Sequence, residues 1–269
     1  MPEFISAYAF ILLRIGGGAI FFWAYFKMFV NEKIETRRDY IDLAISGFFG
    51  VALNMTAFFK GLSLTTAINA SVLMLLAPVF VVIFSSIGNK TKIKPSVLLG
   101  IFIALIGAAF LINGEGFSLK SGGLAGDLLI MLNAISFAFY LYFVVRLLKK
   151  YKAITITAYI FLFGFIYILP VGINDLLQVG WSTLGNKAVF GIFYAIFGIT
   201  ILAYLLNAWA LQRSNSTIVG SYIYLQPVLA TAIAIALGMD KLTFEKALYA
   251  LIILLGLWLV NRPEVNKVK

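Results

Sequence analysis

Long apolar stretches separated by short polar links run along the whole chain. A helix of about 20 residues crosses the roughly 30 Å of bilayer hydrocarbon at about 1.5 Å per residue. The length of the stretches, and the lack of alternating polarity within them, favour helices over barrel strands. The predicted fold is therefore all-α, a polytopic transmembrane helix bundle. Its nine predicted helices cover residues 5–29, 41–60, 64–87, 97–113, 124–147, 155–175, 188–210, 215–237 and 244–261.

The composition agrees with lipid as the solvent. Apolar residues make up 62% of the chain and charged residues 12%, whereas a soluble domain typically has about 45–50% and about 25%. The sequence contains no cysteine and no histidine, which removes disulfides and the commonest ligands of a structural metal site. We therefore predict no metal site and no cofactor. No nucleophile–base pair or phosphate-binding glycine loop indicates an enzyme, so no catalytic residue is predicted.

The net charge of +10 is carried mostly by the links. Cytoplasmic loops of membrane proteins carry an excess of Lys and Arg. Placing the first link inside the cell, and alternating from there, puts most of the 21 Lys and Arg residues on the cytoplasmic side. This predicts a multi-pass protein of the bacterial inner (plasma) membrane with a cytoplasmic C-terminus. The expected partners are the lipid bilayer and a small-molecule solute, with no nucleic acid, and the sequence gives no oligomeric state.

The two halves of the chain resemble each other. SVLMLLAPVF at 71–80 aligns with GSYIYLQPVL at 220–229, which places Pro78 opposite Pro227. The first predicted helix matches the sixth, five crossings later, so the two copies have opposite orientations. We predict two repeats, at residues 1–122 and 123–269. Inverted repeats are typical of alternating-access transporters, in which the binding site lies near the bilayer midplane.

The first repeat is one helix shorter than the second. The second repeat has five predicted helices and the first has four, and the counterpart of 124–147 is expected just before residue 1. The predicted topology agrees, because it leaves an N-terminus without a signal peptide outside the cell. We expect an inverted five-plus-five arrangement lacking its first helix. The alternative is a genuine nine-helix protein.

Four segments carry a resemblance to a known family. They are PEFISAYAFILLR (2–14), GLSLTTAINASVLMLLAPVF (61–80), SNSTIVGSYIYLQPVLATAIA (214–234) and LTFEKALYALIILLGLWLVN (242–261). Together they resemble the EamA-type branch of the drug/metabolite transporter superfamily over essentially the whole chain. The resemblance implies two inverted five-helix repeats and export of small metabolites such as amino acids. The chain departs from that pattern by lacking the first helix.

Arg14 is the sharpest candidate for solute binding. It follows about ten residues of apolar helix, where a charge is costly and normally faces protein or water. Its guanidinium could hold a substrate carboxylate through two parallel hydrogen bonds. The alternative is a structural role, in which it binds backbone carbonyls or extends its stem to the interface.

Polar residues at helical spacing on several predicted helices could line a cavity with Arg14. The alternative for each one is an interhelical hydrogen bond or a place in the interfacial aromatic belt. Pro78 and Pro227 lie in equivalent helices and could provide gating flexibility, or only fixed kinks. The candidate binding residues are Arg14, Asn54, Asn69, Asn133, Tyr140, Asn207, Tyr222 and Gln226.

Two classes of function remain after these steps. The leading hypothesis is a secondary transporter that exports a small metabolite, such as an amino acid, by alternating access. A multidrug or cationic-compound exporter of the same superfamily is the alternative within transport, and a membrane protein without transport activity is the alternative outside it. No Asp or Glu lies near the midplane of a predicted helix, so nothing in the sequence indicates a membrane-buried carboxylate that couples transport to protons.

Overall fold

The computed structural model describes residues 5–113, 123–181, 184–239 and 241–261 of the chain. Within these ranges nine helical runs are long and apolar enough to cross a membrane, and no strand is present. The predicted all-α bundle is therefore confirmed. We number the runs as spans 1 to 9, which cover Ala7–Val30, Arg37–Leu62, Ala67–Asn89, Pro95–Ile112, Leu124–Leu148, Ala153–Leu177, Asn186–Arg213, Ser216–Ala236 and Phe244–Asn261.

Short polar side chains set where several spans begin. Ser6, Thr36, Thr66 and Asn215 each accept a hydrogen bond from the backbone N–H three residues further on, as helix N-caps do. Spans 1 and 3 end where Asn31 and Lys90 adopt the left-handed conformation, with φ of 45° and 52°. These caps explain why links of only a few residues separate the spans.

Several spans are not uniform α-helices. Phe26–Val30 in span 1, Phe48–Ala52 in span 2 and Ala195–Leu202 in span 7 are π-helical, and Tyr222–Tyr224 in span 8 is a 3₁₀ turn. Such irregular turns frequently occur at functional sites. The α-helical pieces of the composite spans are Ala7–Tyr25, Arg37–Gly47, Leu53–Leu62, Ala67–Met74, Ala77–Asn89, Leu124–Phe143, Val145–Leu148, Asn186–Tyr194, Ala203–Arg213, Ser216–Ser221 and Leu225–Ala236. The remaining helices are Pro95–Asn113, Ala153–Leu177 and Phe244–Asn261.

Glycines allow two pairs of spans to pack closely. Spans 4 and 9 meet at Gly100 and Gly256, where a Cβ added to either glycine would lie 2.6 Å from the carbonyl oxygen of the other. Spans 1 and 6 meet at Gly18, where an added Cβ would lie 2.6 Å from the ring of Phe161. Small residues that let helix backbones approach are the usual solution in membranes, where no hydrophobic force drives helices together.

The bundle is buried unevenly. One core joins spans 1, 2, 3, 5, 6 and 7, and a second joins spans 3, 4, 8 and 9. Half of the residues in the most apolar stretch of span 2 are buried, but only 17% in span 7 and 22% in span 8. Large apolar residues on these two spans are therefore exposed, among them Phe190, Phe193, Trp209, Leu229 and Ile233.

A charged cluster ties two links together at one end of the bundle. Lys150 Nζ lies 2.6 Å from Asp39 Oδ2 and 2.7 Å from Glu35 Oε2, and the Tyr151 hydroxyl donates to Asp39 Oδ2 over 2.8 Å. The hydrogen bonds to Asp39 and Glu35 raise the pKa of Lys150 above its usual range. The links before span 2 and after span 5 therefore lie on the same side, as the alternating topology requires.

Candidate functional site

Spans 1, 2, 3, 5, 7 and 8 enclose a cavity of about 940 Å³. Its wall is mainly aromatic and aliphatic, with a few polar groups, which is the usual composition of a small-molecule site. Seven of the eight predicted binding residues line this cavity, and Asn69 does not. The seven are Arg14, Asn54, Asn133, Tyr140, Asn207, Tyr222 and Gln226.

Arg14 reaches the cavity from span 1 and is only 7% exposed. Its Nε donates a 2.8 Å hydrogen bond to Thr200 Oγ1 in span 7, and the centre of its guanidinium lies 5.1 Å from the Phe59 ring centroid and 5.7 Å from that of Phe10. Thr200 donates in turn to the carbonyl oxygen of Ala195. One edge of the guanidinium is therefore fixed, and its two Nη groups make no hydrogen bond found among the described residues.

Asn54 and Asn133 join spans 2 and 5 at the cavity wall. The Asn133 side-chain amide donates to the Asn54 carbonyl oxygen over 2.8 Å, and the Asn54 amide donates back to the Asn133 carbonyl oxygen over 3.4 Å. The Asn133 Oδ1 atom is buried with no hydrogen-bond partner within the described part of the chain. This pair therefore holds the two spans together and presents an unused acceptor.

Tyr140 and Tyr204 converge on Gly50 in the π-helical part of span 2. The Tyr204 hydroxyl donates to the Gly50 carbonyl oxygen over 2.8 Å. The Tyr140 ring packs so closely on Gly50 that a Cβ there would overlap it. Three spans thus meet at one backbone position, and both tyrosines line the cavity.

The side of the cavity formed by spans 7 and 8 is more open. Tyr222 lines it while 50% exposed, and Trp209 while 51% exposed. Asn207 Oδ1 is buried and lacks a hydrogen-bond partner among the described residues. Gln226 completes this wall, one helical turn beyond Tyr222.

Asn69 lies elsewhere, at the start of span 3. Its side-chain amide donates to both carboxylate oxygens of Asp127 at 3.3 and 3.4 Å, and Thr65 also donates to Asp127. The residue is fully buried. Asn69 therefore joins the beginnings of spans 3 and 5 and is not among the cavity-lining residues.

Pro78 and Pro227 each follow an irregular turn beside the cavity. Before Pro78, Leu75 and Leu76 donate to carbonyls three residues back, and before Pro227 lies the 3₁₀ turn Tyr222–Tyr224. A proline cannot donate to the carbonyl four residues before it, which belongs to Met74 in one case and Ile223 in the other. Both of these residues line the cavity.

The sequence analysis missed the residues that position these side chains. Thr200 and Gly50 hold Arg14, Tyr140 and Tyr204 in place, but threonine and glycine are common in membrane helices and carried no signal of their own. The charged residues of the cavity wall are Arg14 and Arg213, and no Asp or Glu is among the described residues lining it. No group of three or more Asp or Glu side chains that could hold a metal ion occurs in the described ranges.

Comparison with known proteins gives the family. The chain matches the EamA-like transporter family over residues 1–113 and 124–262. It belongs to this family. An uncharacterized transporter of Archaeoglobus fulgidus is 27% identical over 95% of this chain and 87% of its own length. The uncharacterized transporter YyaM of Bacillus subtilis is 24% identical over 84% of this chain and 74% of its own.

Two further proteins are similar to this chain. A WAT1-related protein of Arabidopsis thaliana is 26% identical over 93% of this chain and 70% of its own length. A solved crystal structure, 16% identical, superposes with a TM-score of 0.76 and covers 96% of this chain and 88% of its own, which shows a shared fold. The EamA-family chain is therefore a multi-pass membrane transporter.

Proposed function

We propose that the protein is a secondary transporter that exports a small carboxylate-bearing metabolite, such as an amino acid, across the plasma membrane. Arg14 carries this proposal. It is a buried cation on the wall of the central cavity, its Nε is held by Thr200, and two Nη groups remain to receive a carboxylate. The cavity's Phe10, Phe59 and Phe137 would cover the apolar body of the solute.

The charge of the cavity supports an anionic or zwitterionic solute over a cationic drug. Its described lining contains two arginines and no carboxylate. A cation in this cavity would meet repulsion from Arg14 beside a mainly apolar wall, where an unpaired charge is costly. The unused amide oxygens of Asn133 and Asn207 are the acceptors left for a substrate ammonium.

Alternating access is supported by irregularities at matching positions of the two halves. The alignment that puts Pro78 opposite Pro227 also puts the turn at Leu75 opposite Tyr224. It puts the π-helix Phe48–Ala52 opposite part of the π-helix Ala195–Leu202. We take 1–122 and 123–269 as inverted repeats that rock about the cavity, with the proline turns as flexible points and the C-terminus in the cytoplasm.

Transport by the purified protein in liposomes tests the proposal. Vesicles loaded with unlabelled amino acids are assayed for counterflow of each labelled amino acid, and of a labelled organic cation. We expect counterflow of at least one carboxylate solute and none of the cation. Arg14→Met should raise KM or abolish counterflow, because losing a charged hydrogen-bonding partner costs about 1.5–3 kcal/mol, or roughly 10- to 150-fold.

Arg38→Met is the matched control, because Arg38 is exposed and is not among the cavity-lining residues. Arg14→Lys separates charge from geometry: it keeps the cation but loses the paired donors of the guanidinium. Unchanged counterflow in Arg14→Met would contradict the site. Counterflow of the organic cation alone would favour the drug-exporter alternative.

A further inference from the structure

A second cavity, of about 410 Å³, lies at the end of the bundle where spans 3, 4, 8 and 9 meet. It is formed by the end of span 3, the following link, the start of span 8 and the end of span 9. This end of the bundle is the one that carries the charged cluster around Lys150. Gln212, at the end of span 7 just before span 8, donates to the Tyr151 carbonyl oxygen, and the Tyr151 hydroxyl donates to Asp39. The second cavity is separate from the solute site apart from Ile218, which lines both.

Most of its wall is made of hydrogen-bonding side chains. Lys92 and Lys94 contribute two ammonium groups from the link between spans 3 and 4. The apolar part of the wall consists of Val82, Ile93, Val97, Ile218 and Val260. The hydroxyl and amide residues are Ser85, Ser86, Asn89, Thr91, Ser96, Asn215, Ser216, Thr217 and Asn261.

Internal hydrogen bonds hold this wall in shape. The hydroxyls of Ser85 and Ser216 are 2.9 Å apart and join spans 3 and 8. Ser86 donates to the carbonyl oxygen of Thr91, which fixes the link beside span 3. Asn261 donates from its amide to the Leu257 carbonyl over 2.7 Å. The first two bonds tie span 3 to span 8 and to the link that follows span 3.

The described wall of this cavity carries positive charge. No Asp or Glu is among the described residues that line it. The acidic residues described at this end are engaged elsewhere: Glu35 and Asp39 with Lys150, and Asp42 with Arg146. The Glu32 carboxylate accepts from the backbone of Lys152. Lys92 and Lys94 give the described wall a net positive charge, and no carboxylate among its described residues would repel a phosphate.

The surface beside the cavity is apolar and exposed. Ile87 is 72% exposed at the end of span 3, and Leu98 and Leu99 are 43% and 56% exposed at the start of span 4. They belong to the last turn of span 3 and the first turns of span 4, beside the link that carries Lys92 and Lys94. We propose that the cavity binds the phosphate-bearing headgroup of an anionic phospholipid, with its acyl chains along Ile87, Leu98 and Leu99.

Lipid titration of the purified full chain in neutral detergent tests this. Dioctanoyl phosphatidylglycerol and dioctanoyl phosphatidylcholine are added separately, and binding is followed by native mass spectrometry and by melting temperature. We expect saturable binding of phosphatidylglycerol and a higher melting temperature, and neither with phosphatidylcholine. K92Q/K94Q should weaken binding by roughly 20- to 30-fold, because each lysine near a charged lipid surface contributes about fivefold.

Three further variants test whether binding depends on the lysines and the charge of this cavity. K33Q/K149Q removes the same charge from exposed lysines outside the cavity at this end and should bind like the parent. K92R/K94R should retain binding, and Ser96→Asp should weaken it while leaving both lysines in place. Any of three results would overturn the proposal. The two lipids could bind equally well, K33Q/K149Q could lose as much lipid binding as K92Q/K94Q, or 10 mM inorganic phosphate could displace the lipid.

Discussion

Arg14 donates a hydrogen bond from Nε to Thr200 Oγ1 over 2.8 Å, although the two residues are 186 positions apart. The contact joins span 1 to the π-helical part of span 7. Thr200 also donates to the Ala195 carbonyl, so the position of the guanidinium depends on the geometry of that π-helix. Interhelical hydrogen bonds of this kind are the main polar connections available inside a bilayer. The proposed anion site therefore depends on both halves of the chain.

We expect Thr200→Val to leave the Arg14 guanidinium less firmly oriented in the cavity. Valine keeps the shape of threonine but leaves the buried Nε without its acceptor, which costs about 1–3 kcal/mol of unfolding free energy. With Arg14 less well oriented, KM for the carboxylate solute should rise by roughly 5- to 30-fold. Thermal melting and counterflow kinetics measure the two effects.

Thr157→Val is the matched control for this substitution. Thr157 is also fully buried, and its hydroxyl donates to the Ala153 carbonyl of its own helix. It is not among the residues that line the cavity. A rise in KM of the same size in both variants would show that Thr200 has no special part in solute binding.

Gly50→Ala should disturb both tyrosines at the cavity. The added Cβ would overlap the Tyr140 ring, so the ring or the span 2 backbone must move, and overpacking of this kind typically costs about 1–3 kcal/mol. Movement of the backbone also displaces the carbonyl that accepts from Tyr204. We expect a lower melting temperature and a loss of counterflow.

Gly198→Ala is the comparison for Gly50→Ala. Gly198 also lies in a π-helical segment, but its nearest neighbour is the side chain of the exposed Tyr194, at 3.2 Å from an added Cβ. That side chain can move aside at little cost. Equal losses in the two variants would mean that any added methyl in a π-helix disrupts the protein.

The sequence predicted the spans well because segment length and hydropathy reflect the thickness of the bilayer. It also identified most of the polar wall, since a polar side chain in an apolar helix is uncommon enough to be noticed. It grouped Asn69 with this wall, whereas the structure places that side chain elsewhere, because helical spacing gives the face of a helix but not the neighbour it meets. The side-chain amide of Asn69 instead donates to the carboxylate of Asp127, which comes 58 positions later in the chain.

Thr200 and Gly50 could not have been predicted for a different reason. A threonine in a membrane helix commonly binds a carbonyl of its own helix, as Thr157 does, so its residue type carries no functional signal. Its importance comes from Arg14, whose position depends on the packing of spans 1 and 7. Contacts between such distant positions follow from the tertiary fold and not from local pattern.

The Lys150 cluster should stabilise the protein up to strongly alkaline pH. Asp39 and Glu35 raise the pKa of Lys150 in the folded state, so its contribution is fully present below the unfolded pKa of about 10.4. It is lost only as pH rises through the higher folded pKa. We expect Lys150→Met to lower the melting temperature by a constant amount from pH 7 to 9, and by less above about pH 10.4.

Lys149→Met is the control for that pH series, because the neighbouring Lys149 carries the same charge but makes no ion pair within the described part of the chain. Its melting temperature should follow the parent at every pH. A difference between Lys150→Met and the parent that stays unchanged above pH 11 would contradict the raised pKa as the cause.

The predicted orientation can be tested directly because the sequence contains no cysteine. Lys149 and Lys187 are both exposed and lie on opposite sides of the bundle, with span 6 between their links. We expect Lys187→Cys in intact cells to react with a membrane-impermeant maleimide, and Lys149→Cys to react only after the cells are opened. The opposite result would reverse the bundle and place the Lys150 cluster and the proposed lipid cavity at the outer leaflet, where the positive-inside rule would be violated.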